Sequence, residues 1–445
     1  MARILLVGYD PPPFCSGTKV EAAHYRTWQF LQPLVAAGHS VCLCSQSPAA
    51  TSTRSLPGAS ADALTRASIG LGKTGWLRRL QHAHDTFAPD CVLSVNFDCC
   101  LHSTKLRTRK PMWMDVYGDY LTIIQAASYR NSSNRGVPTA ASFMRRVLSR
   151  GDVFSVCGTP QKHMMVGELA MSGRLNGRTF GYEFVRVVPP GSPRAGNCRN
   201  ALDRRGPLAS EGISPEDFVV LWCGGYNTWT DVGTLFAALE TAMAEENRLH
   251  FVSIGASTYS ALGSVYDRFL AMAAGSRYRD RYHMLGWRPW QEIASYYAES
   301  DVGINVDAMH YETLYGTRTR LLEMISAGLP VVTSLGCELS HQLRDAGAAL
   351  VFETGNGPGL ARLLLMLARD SSLHQAVAER AHDCAEHDFS FRHTTEALLA
   401  WVEAPEVAPD RVPLFWRNRL AEQGHRGRNL LRQVMWTTCG LYRCR

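Results

Sequence analysis

ETLYGTRTRLLEMISAGLPVVT, residues 312–333, combines a loop, a helix and a buried strand. Between residues 318 and 327, apolar side chains recur at the three- and four-residue spacing of one helix face. Gly328 is a typical helix stop, and Pro330 stands directly before the apolar start of the strand. The stretch therefore predicts a helix followed by a core strand, which is the repeating unit of an α/β domain.

The start of this helix carries groups that suit a phosphate. Gly316 and Thr317 are predicted to lie at the helix N-terminus, where backbone N–H groups bind anions. Arg318 and Arg320 add guanidinium groups, whose fork geometry matches phosphate oxygens. Glu323 lies roughly one and a half turns further on, where a carboxylate can accept hydrogen bonds from ribose hydroxyls. The segment predicts adjoining diphosphate and sugar sites, although an ordinary amphipathic helix before a core strand explains the same pattern.

The same alternation of strand and helix runs through most of the chain. Buried strands are predicted in the first half at residues 3–8, 40–45, 91–95, 112–116, 153–156 and 185–188, and in the second half at residues 218–223, 250–254, 282–285, 302–305, 331–333 and 349–352. This alternation favours doubly wound parallel sheets. A stretch rich in Pro, Gly, Arg and Asn separates the two sets as a linker would. We therefore expect two tandem Rossmann-like α/β domains, with ligands at the carboxyl ends of their strands.

The order of residue types between positions 312 and 333 resembles the nucleotide-sugar site of GT-B glycosyltransferases, in particular the retaining group 1 or GT4 family. The matching features are the acidic Glu312, the small-residue loop Gly316-Thr317, the second acidic residue Glu323 and the run AGLPVV. The two glutamates stand eleven positions apart here, whereas in that family they are usually eight apart. The role of Glu312 is therefore less well defined by the resemblance than that of Glu323.

The resemblance implies a domain plan. Residues 1–191 form an N-terminal Rossmann-like domain that binds the acceptor, and residues 218–388 form a second one that binds the nucleotide sugar. Residues 192–217 are the linker between them, and a helix in residues 389–405 returns to the first domain. Residues 406–445 form a basic tail outside the resemblance. The two domains are expected to face a central cleft.

Glycine-rich loops mark two further donor contacts. Gly17 follows the first strand and precedes the first helix, where the family approaches donor phosphate or acceptor. Gly224 and Gly225 open the second domain, where the family usually has an arginine and a lysine that hold the diphosphate, and this chain has neither. The positive charge that would hold the diphosphate is therefore assigned to Arg318 and Arg320. Tight turns between a strand and a helix, without any ligand contact, explain these three glycines equally well.

Other candidates follow from strand-end positions. The resemblance places Trp287 and Arg288 in the loop that holds the nucleobase, although a packed core ring fits Trp287 equally. Asp115 ends a predicted strand, where it can orient or deprotonate an acceptor hydroxyl or make a structural hydrogen bond. As catalytic residues we expect Asp115, Glu312 for the transferred sugar, and Arg318 for the leaving diphosphate.

Composition limits the class of protein. The chain has 445 residues, of which 46% are hydrophobic and 19% charged, which is enough for two cores and argues against disorder. Thirteen cysteines show neither disulfide-framework nor zinc-site spacing, which favours a reducing cytoplasm and no catalytic metal. The N-terminus reads as a strand rather than a signal peptide, and no apolar run reaches the length of a membrane span. We expect a cytoplasmic protein without a cofactor.

The net charge of +6 is concentrated in the tail. Residues 411–445 contain eight arginines and one acidic residue, Glu422. If helical, this segment has Trp416 and Leu420 near one face and arginines between them, which would attract it to an anionic membrane at the inner face. A solvated extension and an arm docked on the first domain are alternatives. A basic patch with interleaved aromatic residues is missing from the body of the sequence, so we do not expect nucleic acid binding.

The resemblance implies a metal-independent, retaining glycosyltransferase. It moves a sugar from a nucleoside-diphosphate sugar, as a substrate, to an acceptor hydroxyl in glycan, glycolipid or metabolite biosynthesis. Two alternatives remain open. A nucleotide-sugar 2-epimerase has the same fold, and a non-catalytic sugar-nucleotide-binding partner would explain the missing arginine and lysine. The nucleotide, the sugar and the acceptor are not identified by the sequence.

Overall fold

Buried apolar strands form the centre of each half of the chain. The computed structural model describes residues 1–15, 19–45, 63–70, 72–192, 206–257 and 264–411. The strands of the first sheet are β1 (Arg3–Val7), β2 (Ser40–Ser45), β3 (Leu64–Ser68), β4 (Cys91–Val95), β5 (Met112–Asp115), β6 (Val153–Val156) and β7 (Val185–Val187). They are parallel in the order β3-β2-β1-β4-β5-β6-β7. The helices up to the second sheet are α1 (Ala22–Ala36), α2 (Trp76–Phe87), α3 (Phe97–Ser103), α4 (Tyr120–Arg130), α5 (Val137–Arg150), α6 (Thr159–Met171) and α7 (Pro207–Ser210).

The second sheet repeats this topology. Its strands are β8 (Phe218–Cys223), β9 (Leu249–Ile254), β10 (Tyr282–Gly286), β11 (Val302–Asn305), β12 (Val331–Leu335) and β13 (Leu350–Glu353). They are parallel in the order β10-β9-β8-β11-β12-β13. The helices of this half are α8 (Val232–Glu245), α9 (Val265–Gly275), α10 (Trp290–Glu299), α11 (Tyr311–Tyr315), α12 (Thr319–Ser326), α13 (Glu338–Asp345), α14 (Gly357–Arg369), α15 (Ser371–His387), α16 (Phe391–Thr394) and α17 (Glu396–Glu403).

The predicted α/β fold class is confirmed, with two parallel doubly wound sheets. Each predicted strand is present within two residues at either end, and α12 begins and ends one residue inside its predicted bounds. Strand β3 was not predicted. It lies at the edge of the sheet and is only partly buried, so its sequence LTRAS lacks the continuous apolar run of a central strand.

The C-terminal helices lie against the first half of the chain. Phe391 of α16 and Leu398, Trp401 and Val402 of α17 are buried in one apolar cluster with residues of β1, β2 and α1. The ring of Phe391 also makes an edge contact with Trp28 of α1, with centroids 5.6 Å apart. The domain boundaries remain predictions, because residues 193–205 lie outside the described ranges.

The beginning of the tail docks on the first domain, as one of the alternatives anticipated. Asp152 accepts a hydrogen bond from the backbone of Ala408 at 2.8 Å and pairs with Arg411, while Arg174 pairs with Asp410. Residues 412–445, which hold most of the tail's arginines, lie outside the described part of the chain.

The two halves contact each other directly. The Tyr117 hydroxyl lies 2.6 Å from the Thr319 hydroxyl, and Trp290 Nε1 donates to the Tyr25 hydroxyl at 2.7 Å. These contacts join loops and helices at the carboxyl ends of both sheets. They surround a cavity of about 450 Å³ between the halves.

Candidate active site

The interdomain cavity collects most of the residues that the sequence singled out. Its second-domain wall includes Gly224, Gly225, Trp287, Arg288, Glu312, Gly316, Thr317, Arg318, Arg320 and Glu323. Gly17 lies outside the described residues. The individual roles of the lining residues remain predictions, but their convergence on one cavity is what a substrate site between two α/β domains requires.

Arg320 presents an unused hydrogen-bond donor. Its guanidinium lies over the indole of Trp222, with the central carbon 4.1 Å from the ring centroid, and Nη2 donates to the carbonyl of Gly225 at 2.7 Å. Nη1 is buried and has no partner among the described residues. Burial lowers the pKa of this guanidinium. A buried cation with a spare N–H suits an incoming anion, which would supply both a countercharge and an acceptor.

Glycine at position 224 keeps the backbone close to Arg320. Gly224 has φ +117°, a conformation that other residues rarely adopt, and a Cβ there would lie 3.5 Å from Arg320 Nη2. A Cβ on Gly255 in the neighbouring loop would approach the carbonyl oxygen of Gly224 to 2.2 Å. Gly224 is therefore required by its backbone conformation, and Gly255 by the close approach of the Gly224 carbonyl.

The start of α12 provides a second place for an anion. Within the described ranges, no side chain caps its first turn, and the Thr317 hydroxyl is buried without a hydrogen-bond partner. The N–H of Gly316 donates to the carbonyl of Glu312 at 2.7 Å, and its predicted phosphate contact stays a prediction. Gly316 is needed because a Cβ would lie 2.6 Å from the Glu312 carbonyl. The groups that remain available at this helix start are thus the Thr317 hydroxyl and the N–H groups of the following turn.

Arg318 is held by protein acceptors on every side. Nε bonds to Asp307 at 2.5 Å, Nη1 bonds to Glu312 Oε1 at 3.3 Å and the Thr317 carbonyl at 3.0 Å, and Nη2 bonds to Glu312 Oε2 at 2.9 Å and Thr313 at 3.3 Å. Burial lowers the pKa of Arg318, but the two carboxylates outweigh it and raise the pKa above its usual value. All five N–H groups of Arg318 have protein acceptors in this structure, and its contact with the diphosphate stays a prediction. Glu312 pairs with Arg318 through both carboxylate oxygens. Its contact with the transferred sugar stays a prediction.

Glu323 is surrounded by aromatic hydroxyls that the sequence analysis missed. Tyr297 donates to its carboxylate at 3.3 Å, and Tyr25 of α1 also hydrogen-bonds to it. Burial raises the pKa of Glu323 to about 7, against the opposing effect of these hydrogen bonds. Tyr25 comes from the first domain, and no local pattern in the sequence connects it with Glu323.

The loop after β10 forms the next part of the wall. Trp287 is half-buried at the cavity, and the Lys19 ammonium of the first domain lies 5.5 Å from its ring centroid. Arg288 Nη2 lies 3.8 Å from Glu211, while its Nε is buried and has no hydrogen-bond partner in the part of the chain that the structure describes. Trp287 thus lies half-buried at the cavity wall, and its contact with the nucleobase stays a prediction.

Asp115 does not reach the cavity. It is fully buried, its two oxygens pair with Arg26 at 3.0 and 2.7 Å, and Ser155 donates to it at 2.6 Å. This structural bonding, which was the alternative considered, contradicts the predicted role of Asp115 in handling an acceptor. Asp98, which the sequence analysis did not select, lines the cavity from the first domain and is exposed. Asp98 lies at the start of α3, directly after the buried strand β4 in the sequence, and this position could have identified it.

The described residues contain neither a metal-binding cluster nor a membrane-spanning helix. Among them, no group of three or more His, Cys, Asp or Glu residues is arranged to hold a metal ion. None of the helices in the described ranges is long and apolar enough to cross a membrane.

Comparisons with known proteins agree with this geometry. Residues 217–370 match the sequence profile of the family described as Glycosyl transferases group 1. Among curated protein sequences there is no significant match. Solved structures with the same fold include a sucrose-phosphate synthase from Thermosynechococcus elongatus, with 15% identity over 91% of this chain and 100% of that chain and a TM-score of 0.63.

Two further structures are similar over the same extent. HepE from Anabaena, in complex with UDP and glucose, has 14% identity and a TM-score of 0.62 over 91% of this chain and 100% of that chain. WaaG, a glycosyltransferase involved in lipopolysaccharide biosynthesis, has 16% identity and a TM-score of 0.61 with the same coverage. Similarity at this level of identity establishes the shared GT-B fold, and the profile match lies in the half of the chain that carries Arg320 and Glu323. Residues 217–370 are thus similar to the group 1 glycosyltransferases, and the chain as a whole has the GT-B fold.

Proposed function

We propose that this protein transfers a sugar from a nucleoside-diphosphate sugar to an acceptor hydroxyl, with retention of configuration and without a metal ion. The observation that carries the proposal is the cavity in which the spare N–H of Arg320, the uncapped start of α12 and the carboxylate of Glu323 lie together. These are a cationic donor, a helix N-terminus and an acceptor for hydroxyls, which is the set that a sugar nucleotide needs.

The proposed chemistry depends on the leaving group. As the bond between the anomeric carbon and the diphosphate breaks, negative charge grows on the phosphate oxygens and the sugar becomes oxocarbenium-like. Arg320, the Thr317 hydroxyl and the first N–H groups of α12 would bind those oxygens. Because Arg320 Nη1 and the Thr317 hydroxyl are buried, their hydrogen bonds would act with little competition from water.

The rest of the donor would extend along the second domain. We propose that the ribose hydroxyls donate to ionised Glu323, in place of the present hydrogen bond from Tyr25. The nucleobase would then lie against the loop of Trp287 and Arg288. Uridine is the first nucleotide to test, because HepE, which shares the fold, has been solved with UDP-glucose.

The acceptor would enter from the first domain. Asn96, Asp98 and Gly118 line that side of the cavity, and Asp98 offers a carboxylate that can receive the proton of an acceptor hydroxyl. We propose that the reaction takes place in the cytoplasm. Attachment to the inner membrane face is proposed from the arginine-rich sequence of the tail alone.

The test is incubation with UDP-, GDP- and ADP-sugars without acceptor, with nucleotide release and the fate of the sugar followed. Slow release of free sugar and nucleoside diphosphate supports a transferase. A sugar with an altered configuration indicates the 2-epimerase, and nucleotide binding without turnover indicates a non-catalytic partner. Arg320→Ala should abolish release, while Arg344→Ala, which removes an exposed arginine on α13, should not.

Two additions sharpen this experiment. Turnover that persists in a metal chelator supports the metal-independent mechanism, and loss that is restored by a divalent cation contradicts it. Once an acceptor is found, the anomeric configuration of the product, determined by NMR, decides between retention and inversion.

A further inference from the structure

A groove of about 720 Å³ runs across the domain junction outside the cavity. One wall is a face of α4 with Leu121, Gln125, Ser128 and Tyr129, which recur at helical spacing. The turn into α5 continues this wall, and Tyr311 of α11 forms the opposite side from the second domain. Thr122 and Tyr311 also line an adjoining open groove of about 890 Å³, whose walls include His163 and Glu338 and which is distinct from the 720 Å³ groove.

The 720 Å³ groove is lined by aromatic rings and uncharged polar groups. Tyr129 is 82% exposed and Tyr311 is 59% exposed, and the Tyr311 ring lies nearly parallel to that of Tyr315, with centroids 6.3 Å apart. None of the ten described residues that line the 720 Å³ groove has a charged side chain. Between the rings stand neutral amides and hydroxyls, such as Gln125, Ser128 and Asn134.

This composition discriminates between classes of ligand. Nucleic acid and anionic lipid surfaces are bound through clustered Lys and Arg, which these ten residues do not provide. A sugar chain without charge has hydroxyls that pair with neutral amide and hydroxyl groups, and apolar C–H faces that pack on exposed aromatic rings. The groove therefore matches a neutral glycan better than either polyanion.

The groove also lies next to the proposed reaction site. On α4, Thr122 lines the groove and the adjacent Ile123 lines the cavity. On α11, Tyr311 lines the groove and the adjacent Glu312 lines the cavity. We propose that the groove binds the remote sugar units of a neutral glycan acceptor. This inference rests on the proposed glycosyl transfer and names the acceptor as an uncharged oligosaccharide or polysaccharide rather than a sugar phosphate. Because both domains form the walls, binding there would favour their closed arrangement.

The test is native affinity electrophoresis of the full chain through gels that contain dextran, galactomannan or starch, with hyaluronan as an anionic polymer. The proposal expects retardation by at least one neutral polysaccharide and a dissociation constant about two- to tenfold higher for Tyr129→Ala, which removes one exposed ring. Gln125→Ala should weaken binding less. Phe180→Ala, which removes a ring that is 95% exposed outside the groove, is the matched control and should change nothing.

Three results would overturn the inference: no retardation by any neutral polysaccharide, retardation by hyaluronan alone, or equal effects of the Tyr129 and Phe180 substitutions. UDP binding is measured on the same samples. Normal UDP binding with failed glycan binding removes only the groove proposal, whereas failure of UDP binding by the unmodified protein removes the proposed donor site.

Discussion

Two arginines, two positions apart at the start of α12, have opposite surroundings. Arg318 lies between the carboxylates of Asp307 and Glu312, and every one of its N–H groups has a protein acceptor. Arg320 lies over Trp222 with one nitrogen unpartnered among the described residues. The first guanidinium is already neutralised and stabilises a loop, whereas the second remains available to a ligand. Residue type and position at a helix terminus are therefore insufficient to assign a phosphate contact.

Removal of Arg318 is expected to have the largest effect, on folding. Arg318→Ala leaves Asp307 and Glu312 buried close together without a countercharge, so we expect the free energy of unfolding to fall by about 3–5 kcal/mol. Urea denaturation followed by circular dichroism measures this loss. Arg344→Ala, which breaks a pair whose members are 42% and 67% exposed, should cost less than about 1 kcal/mol. Equal stability of the two variants would show that the Arg318 cluster is not structural.

Removal of Arg320 should affect the ligand rather than the fold. Arg320→Ala takes away a charged hydrogen bond to the diphosphate, worth about 1.5–3 kcal/mol, so UDP should bind about ten- to a hundredfold more weakly. Unfolding should change little, because the lost guanidinium is desolvated and incompletely paired in the free protein. Isothermal titration calorimetry with UDP measures the affinity. Unchanged UDP affinity together with lower stability would reverse the contrast between the two arginines.

The ionisation of Glu323 should make UDP binding depend on pH. Its pKa is about 7, and the ribose hydroxyls need the ionised carboxylate as acceptor, so affinity should rise about tenfold between pH 6 and pH 8. Glu323→Gln retains the shape but does not titrate at this position. Because UDP itself titrates in the same range in both proteins, the difference between their calorimetric pH profiles isolates Glu323. Parallel profiles would remove Glu323 from the ribose site.

The raised pKa of Glu323 should also make the stability of the protein depend on pH. The folded protein holds the Glu323 proton up to about pH 7, whereas the unfolded chain releases it near its ordinary pKa of 4.5. Between these values the folded state binds more protons, so this group's contribution to stability is present at low pH and is lost as pH rises toward 7. The stability of Glu323→Gln, measured by urea denaturation across this range, should lack that decline.

Local pattern was sufficient to predict most of the fold. Strand β8 is a continuous apolar run followed by glycine, and β12 begins with two valines directly after Pro330, so their positions follow from neighbours in the sequence. The same logic placed Arg320 and Glu323 on the first turns of α12 and so on the cavity wall. Strand-end position is a property of topology, and topology follows from the order of strands and helices.

Pairings between residues that are far apart in the sequence could not be predicted from local patterns. Arg26 and Asp115 are 89 positions apart and fully buried together, so a strand-end carboxylate that looked available is bonded inside the first domain. Arg318 has its carboxylate partners nearby in sequence, but a short α11 turn is needed to bring Glu312 beside it. In both cases the charge was visible in the sequence and its partner was determined by the fold.

The smallest expected effect concerns the hydroxyl of Tyr25, which links the two domains at Glu323. It accepts from Trp290 Nε1 at 2.7 Å, across 265 positions in sequence, and hydrogen-bonds to the carboxylate that we assign to ribose. Tyr25→Phe removes a competitor for that carboxylate, so UDP should bind a few-fold more tightly, within the roughly 0.5–1.5 kcal/mol of one hydrogen bond. Tyr297→Phe, measured beside it by calorimetry, removes the other hydroxyl from within the second domain. Weaker binding by Tyr25→Phe would mean that this hydroxyl orients Glu323 for the donor instead of occupying its place, because the two roles predict opposite signs.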